Sequence, residues 1–158
     1  MKRIFSILVV TMGISCFCSA SKPYGGIRLL NGYQINRQAA IDADAWNIQK
    51  NGFTIKFESG LNWGVAADPA HMDTYLWYRE QNVNGFKVLL AMVKPGQKTV
   101  WEPENSRGMA PGSILLVTFV LSKSNPNNTA NFWAKVANQE ELIDMILMVL
   151  TFDPSKYD

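Results

Sequence analysis

Two Asn-Gly dipeptides, Asn51-Gly52 and Asn84-Gly85, stand between stretches of strand-forming residues, and they constrain the fold more than any other feature of the chain. Asn and Gly both tolerate the positive φ angles of a type I′ turn, whose twist matches the two strands that it joins. After the first dipeptide, Phe53, Ile55 and Phe57 alternate with Thr54, Lys56 and Glu58, which puts three apolar side chains on one face of a half-buried strand. Ala45 to Gln49 lies before it, so residues 45–58 read as a hairpin. Tyr75 to Val83 and Phe86 to Val93 flank the second dipeptide in the same way. The two hairpins share a turn chemistry and no further sequence, so they are not an internal repeat.

The other elements follow from punctuation and period. Lys22 to Gly26 reads as a flexible lead-in, and Leu30-Asn31-Gly32-Tyr33 as a turn before a short strand around Tyr33 to Arg37. Asp68-Pro69 opens a short helical turn, with Asp as N-cap and Pro at the first helical position. Lys94 to Gly112 carries three prolines and three glycines and reads as a long loop or hairpin tip. Ser113 to Leu121 is a β-rich apolar run that suits a central strand buried on both faces, and Asn131 to Val136 is a further short strand. Asn138 caps a helix with Glu140 and Glu141 in its first turn, and Leu142, Ile143, Ile146, Leu147, Val149 and Leu150 give it a wide apolar face. Thr151-Phe152 reads as a last short strand. The expected fold is α+β: six or seven strands in a mostly antiparallel, twisted sheet built from hairpins, with the C-terminal helix packed on one face.

At Trp77-Tyr78-Arg79-Glu80-Gln81-Asn82-Val83-Asn84-Gly85 and at Ala130-Asn131-Phe132-Trp133-Ala134-Lys135-Val136 the chain resembles a scattered set of secreted bacterial proteins of unassigned function. The stretch from Ile41-Asp42 to Gly60 and the Leu147 to Phe152 end are similar to them as well, so the likeness extends over most of residues 30–152. It implies export and no particular activity. The order of strands, hairpins and a final helix also resembles the Mog1/PsbP-like α+β sandwich, a likeness of fold alone.

The N-terminus points the same way. Met1-Lys2-Arg3 is basic, Ile4 to Ile14 is an apolar run, and Cys16 to Ala20 supplies small residues. This is the three-part pattern of a secretory signal peptide, and the run is shorter than the ~20 residues of a spanning helix. Residues 1–20 are therefore expected to be a signal peptide, and 21–158 one α+β domain in the periplasm or outside the cell. Lipid attachment at Cys16, after Gly13-Ile14-Ser15, is the alternative and would anchor the chain to a membrane. No later stretch reaches spanning length without charges, so no transmembrane segment is expected after cleavage.

Charge is informative once the leader is set aside. The chain has 158 residues with 15 Lys+Arg, 13 Asp+Glu, one His and two Cys. Cleavage after Ala20 removes Lys2, Arg3 and both cysteines, leaving 13 charges of each sign. A formally neutral chain argues against nucleic acid as a partner. A domain of this size can stand on its core without disulfide or metal.

Few residues offer chemistry. Asp68, His71 and Asp73 lie within six residues and include the single histidine, so His71 could act as a base oriented by an aspartate. Zinc needs three or four protein ligands, and this group lacks the spacing of a calcium loop, so neither a metal nor a cofactor is expected. There is no Gly-x-Ser-x-Gly, no phosphate loop and no dinucleotide fingerprint. Trp46, Trp77 and Trp133 fall in strands and read as packing residues, whereas Trp63 and Trp101 fall in loops. There a tryptophan can serve as a stacking platform for a sugar or an anchor for a partner. Arg107 decorates the same long loop as Trp101 and completes the candidate ligand set. The expectation is a non-enzymatic binding module for an envelope protein, glycan or small molecule. A small hydrolase or metal-dependent enzyme using Asp68, His71 and Asp73 is the alternative, and a structural protein that pairs through an edge strand is the third reading.

Overall fold

The computed structural model describes residues 24–39, 44–60, 64–97, 99, 101 and 113–156. Seven strands form one antiparallel sheet: β1 (Gln34–Gln38), β2 (Asp44–Lys50), β3 (Phe53–Gly60), β4 (Tyr75–Val83), β5 (Phe86–Val93), β6 (Ser113–Val120) and β7 (Thr129–Val136). Their order across the sheet is β1-β2-β3-β7-β6-β5-β4. Among the described residues the one α-helix, α1 (Gln139–Val149), is C-terminal. No helix there is long and apolar enough to cross a membrane. The expected signal peptide, Cys16 included, lies outside the described residues.

Both Asn-Gly turns form as the sequence predicts. Asn51 and Asn84 have φ of 49° and 52°, and Gly52 and Gly85 follow at 87° and 86°. Lys50 pairs with Phe53 and Val83 with Phe86, so each loop is two residues long. Asn138 caps α1 by accepting the Glu141 N–H at 2.9 Å. The Glu141 carboxylate reaches back to the Ala137 N–H at 2.7 Å, one residue beyond the usual capping-box donor.

Alternation sorts the strands into two faces. Trp46, Ile48, Ile55, Phe57, Val88, Leu90, Leu115, Val117, Phe119, Phe132 and Ala134 join one hydrophobic cluster, together with Met145, Met148, Val149 and Phe152. Aromatic rings dominate it. Trp46 stacks on Phe57 at 3.9 Å, and Phe152 meets Phe57, Phe119 and Phe132 at 5.7, 5.1 and 5.1 Å. Among the described residues the buried Trp46 Nε1 has no hydrogen-bond partner, so there this indole contributes contact area and no bond. The intervening residues Leu89, Ala91, Val93, Ile114, Leu116 and Trp133 form a second cluster on the other face. The central run Ser113–Val120 is thus buried on both sides, as its composition suggests.

Four expectations are corrected. Thr151-Phe152 does not continue as a strand: Thr151 and Phe152 donate their N–H groups to Met148 and Val149 carbonyls, closing the helix end, and Phe152 drops into the aromatic core. The first strand begins at Gln34, because the Tyr33 N–H closes the preceding turn on Leu30 at 3.2 Å. β7 starts at Thr129, two residues earlier than its apolar pattern indicates. Tyr24 to Gly26 is docked structure rather than a flexible lead-in, with the Asp153 N–H donating to the Gly25 carbonyl at 2.8 Å.

Gly25 has φ of +54°, and a Cβ there would collide with the Phe152 ring. Gly25→Ala is therefore expected to combine left-handed strain with overpacking and cost about 2–4 kcal/mol. Urea unfolding measures it, and a change below about 0.5 kcal/mol would mean that the Tyr24–Gly26 segment is not seated on the core.

Candidate functional site

A β-bulge creates the setting. The register of β4 on β5 shifts between Tyr75 and Trp77, leaving Leu76 exposed. Without that extra residue, Tyr75 and Trp77 would share a face. With it, Trp77 turns to the aromatic core, and Tyr75 and Tyr78 meet on the second face with rings 6.3 Å apart and 10° from parallel.

Residues 64–67 cross that second face and are held by a buried polar cluster. Thr118 of β6 and Asn131 of β7 are direct cross-strand partners, and both are fully buried. Asn131 Oδ1 accepts from the Thr118 hydroxyl at 2.8 Å and from the Ala66 N–H at 3.1 Å. Its Nδ2 donates to the Gly64 carbonyl at 3.1 Å and to Thr129 Oγ1 at 3.0 Å. Thr118 Oγ1 accepts the Ala67 N–H at 3.1 Å, and Thr129 Oγ1 donates to the Gly64 carbonyl at 2.7 Å. Every hydrogen-bonding position of the Asn131 amide is filled, which is the condition under which a buried polar group costs little.

From Ala67 the chain enters the short 3-10 turn Pro69–Thr74. Asp68 is its N-cap, as predicted, and accepts the Ala70 N–H on Oδ1 at 2.8 Å. The Asp68 carbonyl accepts from the His71 N–H and the Tyr75 hydroxyl, both at 3.1 Å. The Thr74 hydroxyl donates to the His71 carbonyl at 2.8 Å. The Lys94 ammonium donates to the Asp73 carbonyl at 2.6 Å, tying the turn to the end of β5.

The result is a concavity of about 380 Å3 between this turn, the end of β5 and Trp101. It is lined by Gly64, Val65, Ala66, Tyr75 and Val93, of which Ala66, Tyr75 and Val93 are buried, and by Asp68, His71, Thr74, Thr99 and Trp101. Trp101 stands edge-to-face on Trp133 at 4.9 Å, which fixes the ring against the sheet. His71 Nδ1 lies 3.7 Å from Asp68 Oδ2, beyond hydrogen-bond reach, and the two side chains are 65% and 39% exposed.

Of the residues singled out in the sequence, Trp101, Asp68 and His71 come together here. Asp73 does not line the concavity, and Trp63 and Arg107 lie outside the described residues. Among the described residues no group of three or more His, Cys, Asp or Glu is placed to hold a metal ion. Sequence reasoning missed Tyr75, Val93 and the Asn131 cluster. The aromatic stretch at Tyr75 was visible, but the bulge that turns its side chain inward has no local signal.

Ionisation is perturbed around this face. Burial, then the charge of Asp68, pushes the Tyr75 phenol up, and burial followed by the hydrogen bond to Glu80 does so more strongly for Tyr78. On the opposite face, burial and the hydrogen bond to Asp144 at 2.8 Å raise Tyr33 well above the ordinary phenol value. Glu58, cross-strand from Asn131, is raised by burial, with Lys56 opposing.

No family model matches the chain, and neither a curated protein nor a solved structure matches it.

Two outcomes are expected. Thr118→Val keeps the shape but strips the Ala67 N–H of its acceptor, and should cost about 1–3 kcal/mol in urea unfolding. A variant as stable as the parent would show that the cluster does not hold the segment. Secondly, neutral Tyr33, Tyr75 and Tyr78 favour the folded state. Their contribution is complete below the unfolded phenol value of about 10 and is lost as pH rises toward the folded values. The share of phenolate absorbance that these three tyrosines supply should therefore lag until circular dichroism reports unfolding. Titration of all tyrosines near pH 10 with the fold intact would contradict this.

Proposed function

We propose that the chain is an exported binding module whose concavity beside Trp101 takes a hydroxylated ring, the chemistry of a glycan or a small sugar-like ligand. The observation that carries this reading is the convergence of Trp101, Asp68 and His71 on one concave surface that apolar Val65, Ala66 and Val93 also line. A volume of about 380 Å3 falls in the usual range for small-ligand sites. The hydroxyls of Tyr75 and Thr74 donate to main-chain carbonyls, and one Asp68 oxygen is used by the cap. Among the described residues the second Asp68 oxygen and the His71 imidazole, which face each other at 3.7 Å, accept and donate no hydrogen bond and are open to a ligand. A carboxylate accepts hydrogen bonds and repels anions, and a tryptophan face packs on the C–H face of a sugar ring. A neutral polyol with an apolar face meets both conditions.

In this reading α1 and Phe152 cover the opposite face of the sheet, so the ligand side is the one crossed by residues 64–75. Met145, Met148 and Val149 support that placement, because they share a cluster with Phe57 and Phe132. Export rests on the Met1 to Ala20 pattern, and the likeness to secreted bacterial proteins belongs to the same proposal. The hydrolase alternative has weaker support, since His71 and Asp68 are not hydrogen-bonded and Asp73 stands apart.

The test is a panel of neutral mono- and oligosaccharides followed by tryptophan fluorescence and calorimetry. A single ring should bind at about millimolar Kd, and longer glycans more tightly. Trp101→Ala should lower affinity at least about tenfold, the weight of one anchoring aromatic. Binding that survives Trp101→Ala, or none across the panel, would refute the proposal. Turnover abolished by His71→Ala would favour the hydrolase.

A further inference from the structure

The three Asn-Gly pairs of the described chain are not equivalent in their chemistry. Asparagine followed by glycine can cyclise, because glycine leaves the following main-chain nitrogen unshielded by a side chain. Hydrogen bonds guard one of the pairs, and a neighbouring side chain crowds a second. At Asn84-Gly85, the Gly85 N–H donates to Asn82 Oδ1 at 3.1 Å, and Asn84 Nδ2 donates to the Phe152 carbonyl at 3.4 Å. Both reacting groups are therefore engaged. At Asn31-Gly32, the aliphatic stem of Lys50 lies against the glycine, with Cδ, Cε and Cγ at 3.7–3.8 Å from where a Cβ would stand.

Asn51-Gly52 has neither protection. Asn51 is exposed, and among the described residues its side chain has no hydrogen-bond partner. Among the described residues nothing lies within 4 Å of a Cβ position on Gly52. We infer that Asn51 is a site of spontaneous covalent modification, the Asn-Gly pair that this fold leaves most open to form a succinimide and resolve to aspartate and isoaspartate.

The Gly52 nitrogen attacks Asn51 Cγ and forms the new C–N bond. The Cγ–Nδ2 bond breaks, and Nδ2 leaves as ammonia with the amide proton. Water then adds to one of the two ring carbonyls, and that carbon's bond to the Gly52 nitrogen breaks as the nitrogen takes up a proton. Addition at the side-chain carbonyl yields aspartate. Addition at the main-chain carbonyl yields isoaspartate, in which the backbone runs through the former side chain. Either product carries a new negative charge.

That charge arises at a sensitive place. The neighbouring Lys50 ammonium lies 3.6 Å from Asp144 of α1 and 4.9 Å over the Tyr33 ring, so it links the β2–β3 hairpin to the helix. A carboxylate at position 51 competes with Asp144 for Lys50. The isoaspartyl form also lengthens a two-residue turn by one methylene, which the type I′ geometry does not accommodate. The modification marks the age of the chain and loosens this corner of the fold.

The experiment holds the full chain at mildly alkaline pH and body temperature in heavy-oxygen water and follows the three pairs by peptide mapping. Electron-transfer fragmentation separates aspartate from isoaspartate. Asn51 is expected to react first, at least roughly 3- to 10-fold faster than Asn84, the factor that a single one of its two guarding hydrogen bonds supplies. In urea the three pairs should react at similar rates. Asn82→Ala, which frees the Gly85 N–H at an exposed strand position, should accelerate Asn84 and leave Asn51 unchanged. Equal rates in the folded chain, or Asn84 or Asn31 reacting first, would overturn the inference.

Discussion

The arrangement rests on the pairing of Asn131 with Thr118 inside the sheet. Both are polar, fully buried and directly opposed on β7 and β6. A buried amide left open would cost several kcal/mol, so this pair has to be completed from outside the sheet. Residues 64–67 complete it by offering the Gly64 carbonyl and the Ala66 and Ala67 N–H groups. The dependence is mutual, since the N–H groups of buried Ala66 and Ala67 would otherwise lie without partners on an apolar surface. Position of the segment and satisfaction of the pair are one event.

Everything on the second face follows from that anchor. Once Ala67 is fixed, Asp68 starts the 3-10 turn, and the Tyr75 hydroxyl closes on the Asp68 carbonyl. The bulge at Leu76 lets the chain leave the turn with Tyr75 facing inward and rejoin the sheet with Trp77 facing the other core. Trp101 then meets Trp133 beside the turn, and the space between becomes the concavity. The candidate site is thus built on hydrogen-bonded backbone and a strand edge, and of its lining residues His71 is the exposed one.

This hierarchy explains what could be read from the chain. Hairpin turns and helix caps are local: Asn51-Gly52, Asn84-Gly85, Asp68-Pro69 and Asn138 carry their own geometry, and each forms where expected. The alternation of Phe53, Ile55 and Phe57 identified a core face for the same reason. The residue types of the site were legible too, as a loop tryptophan and an Asp-His pair. Their convergence was not, because it depends on contacts such as that of Ala66 with Asn131, 65 positions away. Polar residues in a strand carry no signal of their partners. The docking of Gly25 against Phe152 escaped for the same reason, since a glycine-rich lead-in and a packed one look alike in sequence.

The most direct measurement of this account is amide hydrogen exchange at Ala66 and Ala67. These residues lie in a segment without regular secondary structure, where amides ordinarily exchange quickly. If Asn131 and Thr118 hold them, both should exchange as slowly as the amides of β6 and β7, through opening of the whole domain. Exchange as fast as that of the exposed Lys123 and Ser124 amides, in the connection between β6 and β7, would contradict it.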